Sequence, residues 1–256
     1  MNSAFSDIVG RRSCASFAAL IFSFVFIQPV LASWTVTPIR IELSSQSRTE
    51  TIIIGNDGNA SVQFDIEPRL WLQDDSGQDF YETTDDLVVF PRVLSIPSKE
   101  SRIIRVGLKV PAGPIEKTYR VFIREKQKEQ PSDTGKVSIL VNFGVPIFSL
   151  PAKPLPSGQI ASLGMGDGVL KATVQNTGNV HLQFRSITLR GVDDAGGELF
   201  TQTLGAGYLL SGSRRDFPLP FPAEACPQLR RVTATFHSDT LDLEQSTGAD
   251  AALCPQ

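Results

Sequence analysis

Apolar side chains recur at every second position in many short segments of this chain, a period typical of β-strands. The most regular row lies in segment 136–150, KVSILVNFGVPIFSL, where each second residue from Val137 to Ile147 is apolar. The opposite row also contains Leu140 and Phe148, so neither face is plainly polar. Such a strand is either buried on both faces or keeps one apolar row for a partner.

Short β-rich segments separated by turn residues precede this strand. The first, 35–43, is interrupted by Pro38, and the next, 49–54, ends at the turn sequence Asn-Asp-Gly-Asn of residues 56–59. Further strands are predicted at 62–72, 87–90, 93–96, 102–110 and 118–125, with a polar loop at 74–79. Pro68 favours an edge or a bulge within its strand. Strands of this length and spacing are typical of an antiparallel sandwich.

A composition break follows the regular strand. Segment 150–156, LPAKPLP, contains three prolines and predicts a stiff linker at 151–157. Beyond it the strand pattern resumes at 169–175, 181–189, 199–203, 214–219 and 230–237. We therefore expect an all-β fold of two immunoglobulin-like β-sandwich domains, at 33–150 and 158–256.

The two halves also share a short repeat. NDGNASVQF at 56–64 and NTGNVHLQF at 176–184 carry the same Asn, Gly, Asn, Gln and Phe at the same spacing. Asn-x-Gly-Asn is common turn chemistry, so coincidence is one explanation. Because the match continues through the following Gln-Phe, duplication of one immunoglobulin-like unit is favoured.

The first 32 residues predict a secretory signal peptide. Arg11 and Arg12 form a positive n-region, 15–30 is mostly apolar, and Val-Leu-Ala at 30–32 matches a small-residue cleavage site. A twin-Arg export signal is the alternative reading of Arg11-Arg12. No later apolar run reaches the roughly 18 residues that a membrane span requires. We expect an exported protein that does not insert into the membrane.

Composition and charge exclude several classes of partner and cofactor. The chain of 256 residues is 41% hydrophobic and 20% charged with a net charge of −3, so no basic field favours nucleic acid. Cys14 would be removed with the signal, which leaves Cys226 and Cys254 as a predicted disulfide. A metal site would need at least two further ligands, and the chain has only two histidines. We expect no metal and no cofactor.

No constellation of catalytic residues is present in the sequence. His237-Ser238-Asp239 has suggestive residue types, but adjacent residues on a strand point to opposite faces and cannot form a relay. The acidic pairs at 74–75 and 85–86 lack the ligand spacing of an EF-hand. Phosphate-loop and dinucleotide-binding motifs are absent. We therefore predict that the protein is not an enzyme and has no catalytic residue.

Several segments, taken in order, carry a family resemblance. They are VTPIRIEL at 36–43, DDLVVFP at 85–91, RIIRV at 102–106 and YRVFIRE at 119–125, followed by the regular strand at 136–150. With them the chain resembles the periplasmic pilus chaperones of the chaperone–usher pathway. The resemblance implies two sandwiches in an L-shaped (boomerang) arrangement and a periplasmic location. It implies pilus subunits (pilins) and an outer-membrane usher as partners.

The resemblance also gives the regular strand a function. Chaperones of this family complement an incomplete subunit sandwich by adding a donor strand, whose alternate apolar side chains fill the groove of the subunit. Here the donor residues would be Val137, Ile139 and Val141, with Phe143 and Val145 extending the row. Whether the free protein self-associates through this strand stays open. The competing class is an exported immunoglobulin-like structural or adhesive protein, whose strand is satisfied within its own sandwich.

Family members hold the C-terminal carboxylate of the subunit with a basic pair. Arg40 corresponds to the first of these, whereas Pro146 stands where the second, a lysine, is expected. Arg120 and Arg124 share one face of the neighbouring strand, and our hypothesis is that Arg120 supplies the missing charge while Arg124 makes a structural ion pair. The alternative for either arginine is plain surface charge. The departure at Pro146 resembles the archaic branch of the family.

Overall fold

The computed structural model describes residues 34–126, 140–166 and 169–249. The described chain consists of β-strands and one short 3-10 helix, Ala223–Gln228. The predicted all-β class is thus confirmed. The predicted signal peptide lies outside the described residues. No helix among the described residues is long and apolar enough to cross a membrane.

Ten strands build the first sandwich. They are β1 (Trp34–Thr37), β2 (Ile41–Leu43), β3 (Thr49–Asn56), β4 (Val62–Gln73), β5 (Asp79–Thr83), β6 (Leu87–Phe90), β7 (Val93–Ile96), β8 (Ser101–Leu108), β9 (Lys117–Glu125) and β10 (Asn142–Ser149). One sheet has the order β1-β3-β8-β6 and the other β2-β10-β9-β4-β5, with β7 also paired to β4. Alternate side chains of both sheets, such as Ile52, Ile104, Val121 and Ile123, are fully or almost fully buried in one core.

Two prolines act as the sequence pattern predicts. The first predicted strand divides at Pro38, so that β1 pairs with β3 in one sheet and β2 pairs with β10 in the other. Pro68 lies in β4 between the residues that pair with β7, 62–65, and those that pair with β5, 69–73. Pro68 therefore lies where β4 has no partner on the side that pairs with β5 and β7.

Eight strands build the second sandwich. They are β11 (Gly158–Gly166), β12 (Val169–Asn176), β13 (Leu182–Val192), β14 (Glu198–Gly205), β15 (Tyr208–Leu209), β16 (Arg214–Pro218), β17 (Arg231–Ser238) and β18 (Asp242–Gly248). The sheet orders are β11-β12-β16 and β14-β13-β17-β18, with β15 also paired to β13. Phe184, Phe217 and Phe236 meet edge to face at the centre of the second core. The predicted linker at 151–157 contains no strand, and the domain limits themselves remain a prediction.

The short repeat has the same structure in both sandwiches. Asn56 and Asn176 are each 1% exposed, and each donates from Nδ2 to the carbonyl oxygen four residues later at 2.8 Å. Each also accepts through Oδ1 from the backbone N–H of the glycine two residues later, at 3.0 Å for Gly58 and 2.9 Å for Gly178. The common hydrogen bonds support duplication of one unit.

A second pair of turns explains one of the acidic pairs. Asp74 accepts through Oδ1 from the backbone N–H groups of Ser76 and Gln78, both at 2.9 Å. Asp193 does the same for residues 195 and 197, at 2.9 and 2.8 Å. Both turns place a glycine at positive φ three residues after the aspartate. These carboxylates close hairpin turns, and the described residues contain no group of three metal-ligating side chains.

Candidate functional site

Strand β10 is paired on both sides in its second half only. It runs antiparallel to β9 from Asn142 opposite Arg124 to Ser149 opposite Lys117. On its other side β2 pairs with residues 147–149 alone. No described strand pairs with that side of residues 142–146, so their outward backbone groups form an open sheet edge.

The apolar row of β10 passes from the surface into the core. Val141 is 42% exposed, Phe143 is partly buried against Trp34, and Val145 and Ile147 are fully buried. Val137 and Ile139 lie outside the described residues. Val145 fills the core of its own sandwich, and its predicted donor role stays a prediction. The C-terminal part of the row is thus buried within its own sandwich, and a partner for the exposed N-terminal part stays a prediction.

An aromatic cluster contacts the opposite face of β10. Phe148 is fully buried and stacks on the imidazole of His181, with ring centroids 3.7 Å apart. Trp71 of β4 and Tyr208 of β15 lie 6.1 and 5.6 Å from the Phe148 ring. The cluster therefore joins side chains of the first sandwich to side chains of the second.

A buried acid–histidine pair lies beside this cluster. The Glu116 side chain is completely buried and that of His181 is 6% exposed. His181 Nδ1 lies 2.9 Å from both carboxylate oxygens of Glu116, and the His181 backbone N–H donates to Oε1 at 3.1 Å. Because a buried carboxylate is costly without partners, this histidine has a structural role.

Two amide side chains make further contacts between the sandwiches. Asn179, from the repeat, donates to the carbonyl oxygens of Pro114 at 2.9 Å and Lys153 at 3.1 Å. Gln73 donates from Nε2 to the carbonyl oxygen of Tyr208 at 3.0 Å and accepts from the Leu210 N–H at 2.9 Å. The two hydrogen bonds of Gln73 hold the β15 segment against the end of β4.

Arg40 lies at the start of β2, beside the aromatic cluster. It forms an ion pair with Glu42 and donates from Nη1 to Gln183 Oε1 at 2.6 Å. Its guanidinium carbon is 5.1 Å from the Phe148 ring centroid, and 30% of the side chain is exposed. A partly exposed guanidinium in this position has N–H groups available for a further acceptor.

Arg120 lies on β9 directly opposite Pro146. Its guanidinium carbon is 4.1 Å from the Trp71 ring centroid and 5.7 Å from that of Tyr81. It forms no ion pair with any described residue, and its buried Nε has no hydrogen-bond partner among them. A Cβ on Gly144 would lie 3.0 Å from Arg120 Cδ, so this glycine leaves space for the arginine. A cation therefore stands beside the proline that replaces the expected lysine.

Arg124 behaves differently from Arg120. It forms an ion pair with Glu67 at 2.8 Å and lies over the Phe122 ring at 5.5 Å. The predicted structural ion pair of Arg124 is therefore present. This leaves Arg120 as the less neutralised of the two arginines on this face of β9.

The sequence did not indicate two residues of this region, Gln183 and Tyr208. Both come from the second sandwich, where they face each other across β13 and β15. Burial raises the pKa of Tyr208, and the nearby charges of Arg40 and Arg120 oppose that rise. The positive charges of both predicted anchor arginines thus lie near Tyr208, a residue that belongs to no sequence motif described above.

The remaining predicted sites lie elsewhere. Cys226, in the 3-10 helix, is 2% exposed, whereas Cys254 lies outside the described residues, so their disulfide stays a prediction. His237 contacts Asp242 Oδ2 through Nδ1 and Thr188 Oγ1 through Nε2, each at 3.0 Å. These three residues are neighbours across β13, β17 and β18 and form a polar cross-strand ladder.

The chain matches a known family over its first sandwich. Residues 33–154 match the model of the pili and flagellar-assembly chaperones, PapD N-terminal domain. The resemblance to pilus chaperones found in the sequence is thereby confirmed. A search of the curated proteins found no match.

Solved structures share the fold of the whole described chain. A chain in the CsuC–CsuE chaperone–tip adhesion subunit complex, from the archaic chaperone–usher Csu pili of Acinetobacter baumannii, has a TM-score of 0.59 and 16% identity. The match covers 83% of this chain and 98% of that one. A chain in the complex of the SafA pilin with the SafB chaperone of Salmonella enterica has a TM-score of 0.55, 13% identity, and coverage of 85% and 97%. At this identity the matches show the PapD-like fold of two immunoglobulin-like sandwiches.

Proposed function

We propose that this protein is a periplasmic chaperone that binds and caps pilus subunits by donor-strand complementation. The observation that carries the proposal is the open edge of β10 at residues 142–146, which continues from exposed Leu140 and Val141. An incomplete sandwich can add to such an edge through main-chain hydrogen bonds. The PapD-type family of residues 33–154 supports the same function.

The donor residues of this proposal are Val137, Ile139, Val141 and Phe143. Beyond Phe143 the row enters the core of its own sandwich at Val145. Strand β2 occupies the edge from Ile147 onward, and Pro146 has no N–H to donate. A subunit strand would therefore pair with β10 only on the N-terminal side of Pro146. Each apolar side chain that becomes fully buried in the groove would contribute about 1.5–3 kcal/mol.

The carboxylate anchor of the proposal is Arg40 together with Arg120. Arg40 is partly neutralised by Glu42, whereas Arg120 has no acidic partner in the described chain. Contact with Trp71 orients the guanidinium plane of Arg120. The two guanidinium groups carry two positive charges, and Glu42 carries one negative charge. One positive charge therefore remains. A single carboxylate, such as the C-terminus of a subunit, would balance that charge.

The pathway around this function is part of the same proposal. The predicted signal peptide would export the chain to the periplasm, where Cys226 and Cys254 would form their disulfide. An outer-membrane usher would receive the capped subunit, and the chemistry requires no cofactor or catalysis. The Pro146 and Arg120 arrangement is consistent with the archaic branch.

Copurification with a coexpressed pilus subunit from the same genome tests the proposal. The wild-type chain should yield a one-to-one complex, and Val141→Asp or Ile139→Asp should abolish it, because a buried carboxylate cannot fill an apolar groove position. Val169→Asp is the matched control, since Val169 is 51% exposed on the second sandwich. This variant should bind like the wild type.

Two results would count against donor-strand binding. A complex that survives both aspartate substitutions would exclude the β10 row as the binding surface. Self-association of the chain without subunit binding would instead favour the exported structural or adhesive class. Circular dichroism of each free variant separates lost binding from lost folding.

A further inference from the structure

We propose that Tyr208 is a third member of the carboxylate anchor, so that the second sandwich contributes a hydroxyl donor to the site. This inference rests on the proposed function, because it assigns a specificity-determining residue to the same anchor. It predicts that a bound carboxylate touches both sandwiches: Arg40 and Arg120 belong to the first, and Tyr208 belongs to the second.

The position of Tyr208 is fixed by contacts with the first sandwich. Its ring meets Trp71 edge to face at 5.3 Å, and Gln73 holds its carbonyl oxygen at 3.0 Å. Trp71 is the ring over which Arg120 lies. The cross-strand neighbour of Tyr208, Gln183, is the residue that accepts from Arg40 at 2.6 Å. Both arginines therefore lie against immediate neighbours of the tyrosine.

The hydroxyl has the chemistry needed for an anion. The positive charges of Arg40 and Arg120 lie near this hydroxyl, and a phenol has one hydrogen to donate. Because burial raises the pKa of Tyr208, the phenol keeps its proton at neutral pH. Among the acidic groups around it are Glu42, which is paired with Arg40, and Asp239, which is paired with Arg185. Arg40 and Arg120 together carry one positive charge more than Glu42 neutralises, and a neutral donor completes the site for one carboxylate.

The experiment compares a free acid with its neutral analogue. N-acetylglycine and N-acetylglycinamide are titrated into the full-length protein, and the arginine Nε–H resonances are followed by NMR. The wild type should bind the acid and not the amide. Tyr208→Phe keeps the ring contacts and removes only the hydroxyl. It should weaken acid binding about tenfold, as expected when a hydrogen bond to a charged acceptor is lost.

Tyr81→Phe is the matched control. Tyr81 also lies near Arg120, with its ring centroid 5.7 Å from the guanidinium carbon, but the negative charge of Asp79 lies near its hydroxyl. This variant should bind the acid like the wild type. Equal acid binding by the wild type and Tyr208→Phe would overturn the inference, as would equal binding of acid and amide by the wild type.

The failure of this inference can be told apart from that of the proposed function. If a subunit copurifies equally well with the wild type and Tyr208→Phe, and acid binding is unchanged, the proposed function stands and the role of Tyr208 is wrong. If no subunit copurifies with the wild type while the acid titration behaves as predicted, the anchor is real and the chaperone function is wrong.

Discussion

Replacing His181 by phenylalanine should strongly destabilise the protein. Phenylalanine keeps a ring over Phe148 but removes the nitrogen that lies 2.9 Å from both oxygens of Glu116. The Glu116 side chain is completely buried and would keep only the backbone N–H of residue 181 as a donor. Removing one partner of a buried pair costs about 3–5 kcal/mol, and the remaining N–H places this case near the lower end, at about 3 kcal/mol.

Urea unfolding followed by tryptophan fluorescence measures this change. Trp71 is one of two tryptophans in the chain, and it lies in the aromatic cluster beside the pair. The double variant Glu116→Leu with His181→Phe removes both polar groups and should recover most of the lost stability, because apolar replacement of a whole buried pair is nearly neutral. A single variant as stable as the wild type would refute the assigned role of the pair.

The histidine–aspartate pair at residue 237 is the matched control. His237 and Asp242 make the same type of contact at 3.0 Å, but their side chains are 38% and 55% exposed. Exposed pairs contribute little to stability. His237→Phe should therefore leave the urea midpoint unchanged. A large effect there would mean that histidine loss, rather than burial of a carboxylate, destabilises the chain.

Three further predictions concern packing, the repeat and a surface carboxylate. Gly144→Val should weaken subunit capture in the copurification assay, because the added Cβ would lie 3.0 Å from Arg120 Cδ. Gly164→Val is the control and should capture the subunit normally, because no atom lies within 4 Å of its added Cβ. Asn176→Ala should cost about 1–3 kcal/mol in urea unfolding, because buried backbone groups lose their donor. Asp86→Asn should lower stability at pH 7 but much less at pH 3.

The sign of the Asp86 prediction follows from its partners. Partial burial raises the pKa of this carboxyl, but hydrogen bonds from Lys117 at 3.0 Å and Tyr119 at 2.8 Å outweigh it, and the pKa lies below 3.8. The ionised Asp86 carboxylate thus stabilises the fold at a pH above the pKa that Asp86 has in the unfolded chain. This stabilisation is lost as the pH falls through the lower pKa of Asp86 in the folded protein. A wild-type advantage that is equal at pH 3 and pH 7 would contradict this assignment.

Each of the other two predictions has its own contrary result. Copurification of Gly144→Val at the wild-type level would show that the position of Arg120 does not affect capture. An Asn176→Ala variant with wild-type stability would show that the buried amide is dispensable. Asn56→Ala, its counterpart in the first sandwich, should behave alike if the repeat has the same structural role in both.

The apolar period predicted the central strands and missed the polar edge strands. Strands such as β8 and β9 alternate apolar and polar side chains and were found at nearly their observed limits. Strands β5, β11 and β18 were not predicted. They contain few buried apolar residues, since they lie at sheet edges, and β5 and β18 have no fully buried side chain. Their pairing depends on neighbours that a local pattern does not encode.

The sequence predicted only those residues of the candidate site that lie in a recognisable local sequence pattern. Arg40 and Arg120 could be chosen by resemblance and strand parity, whereas Tyr208 depends on contacts with residues more than 80 positions away in the sequence. The point at which the apolar row becomes buried has a similar cause. The apolar row continues without a break from Val141 to Ile147 in the sequence, and only the folded structure shows that it is fully buried from Val145 onward.

Hydrogen exchange of the β10 backbone tests the central claim most directly. The full-length protein is labelled alone and in complex with a copurified pilus subunit, and exchange is read for peptides covering 137–149. Donor-strand complementation predicts slower exchange at 137–145, because a subunit strand would bond to the open edge, and little change at 147–149, which β2 already covers. Unchanged exchange at 137–145, with protection elsewhere, would contradict the account.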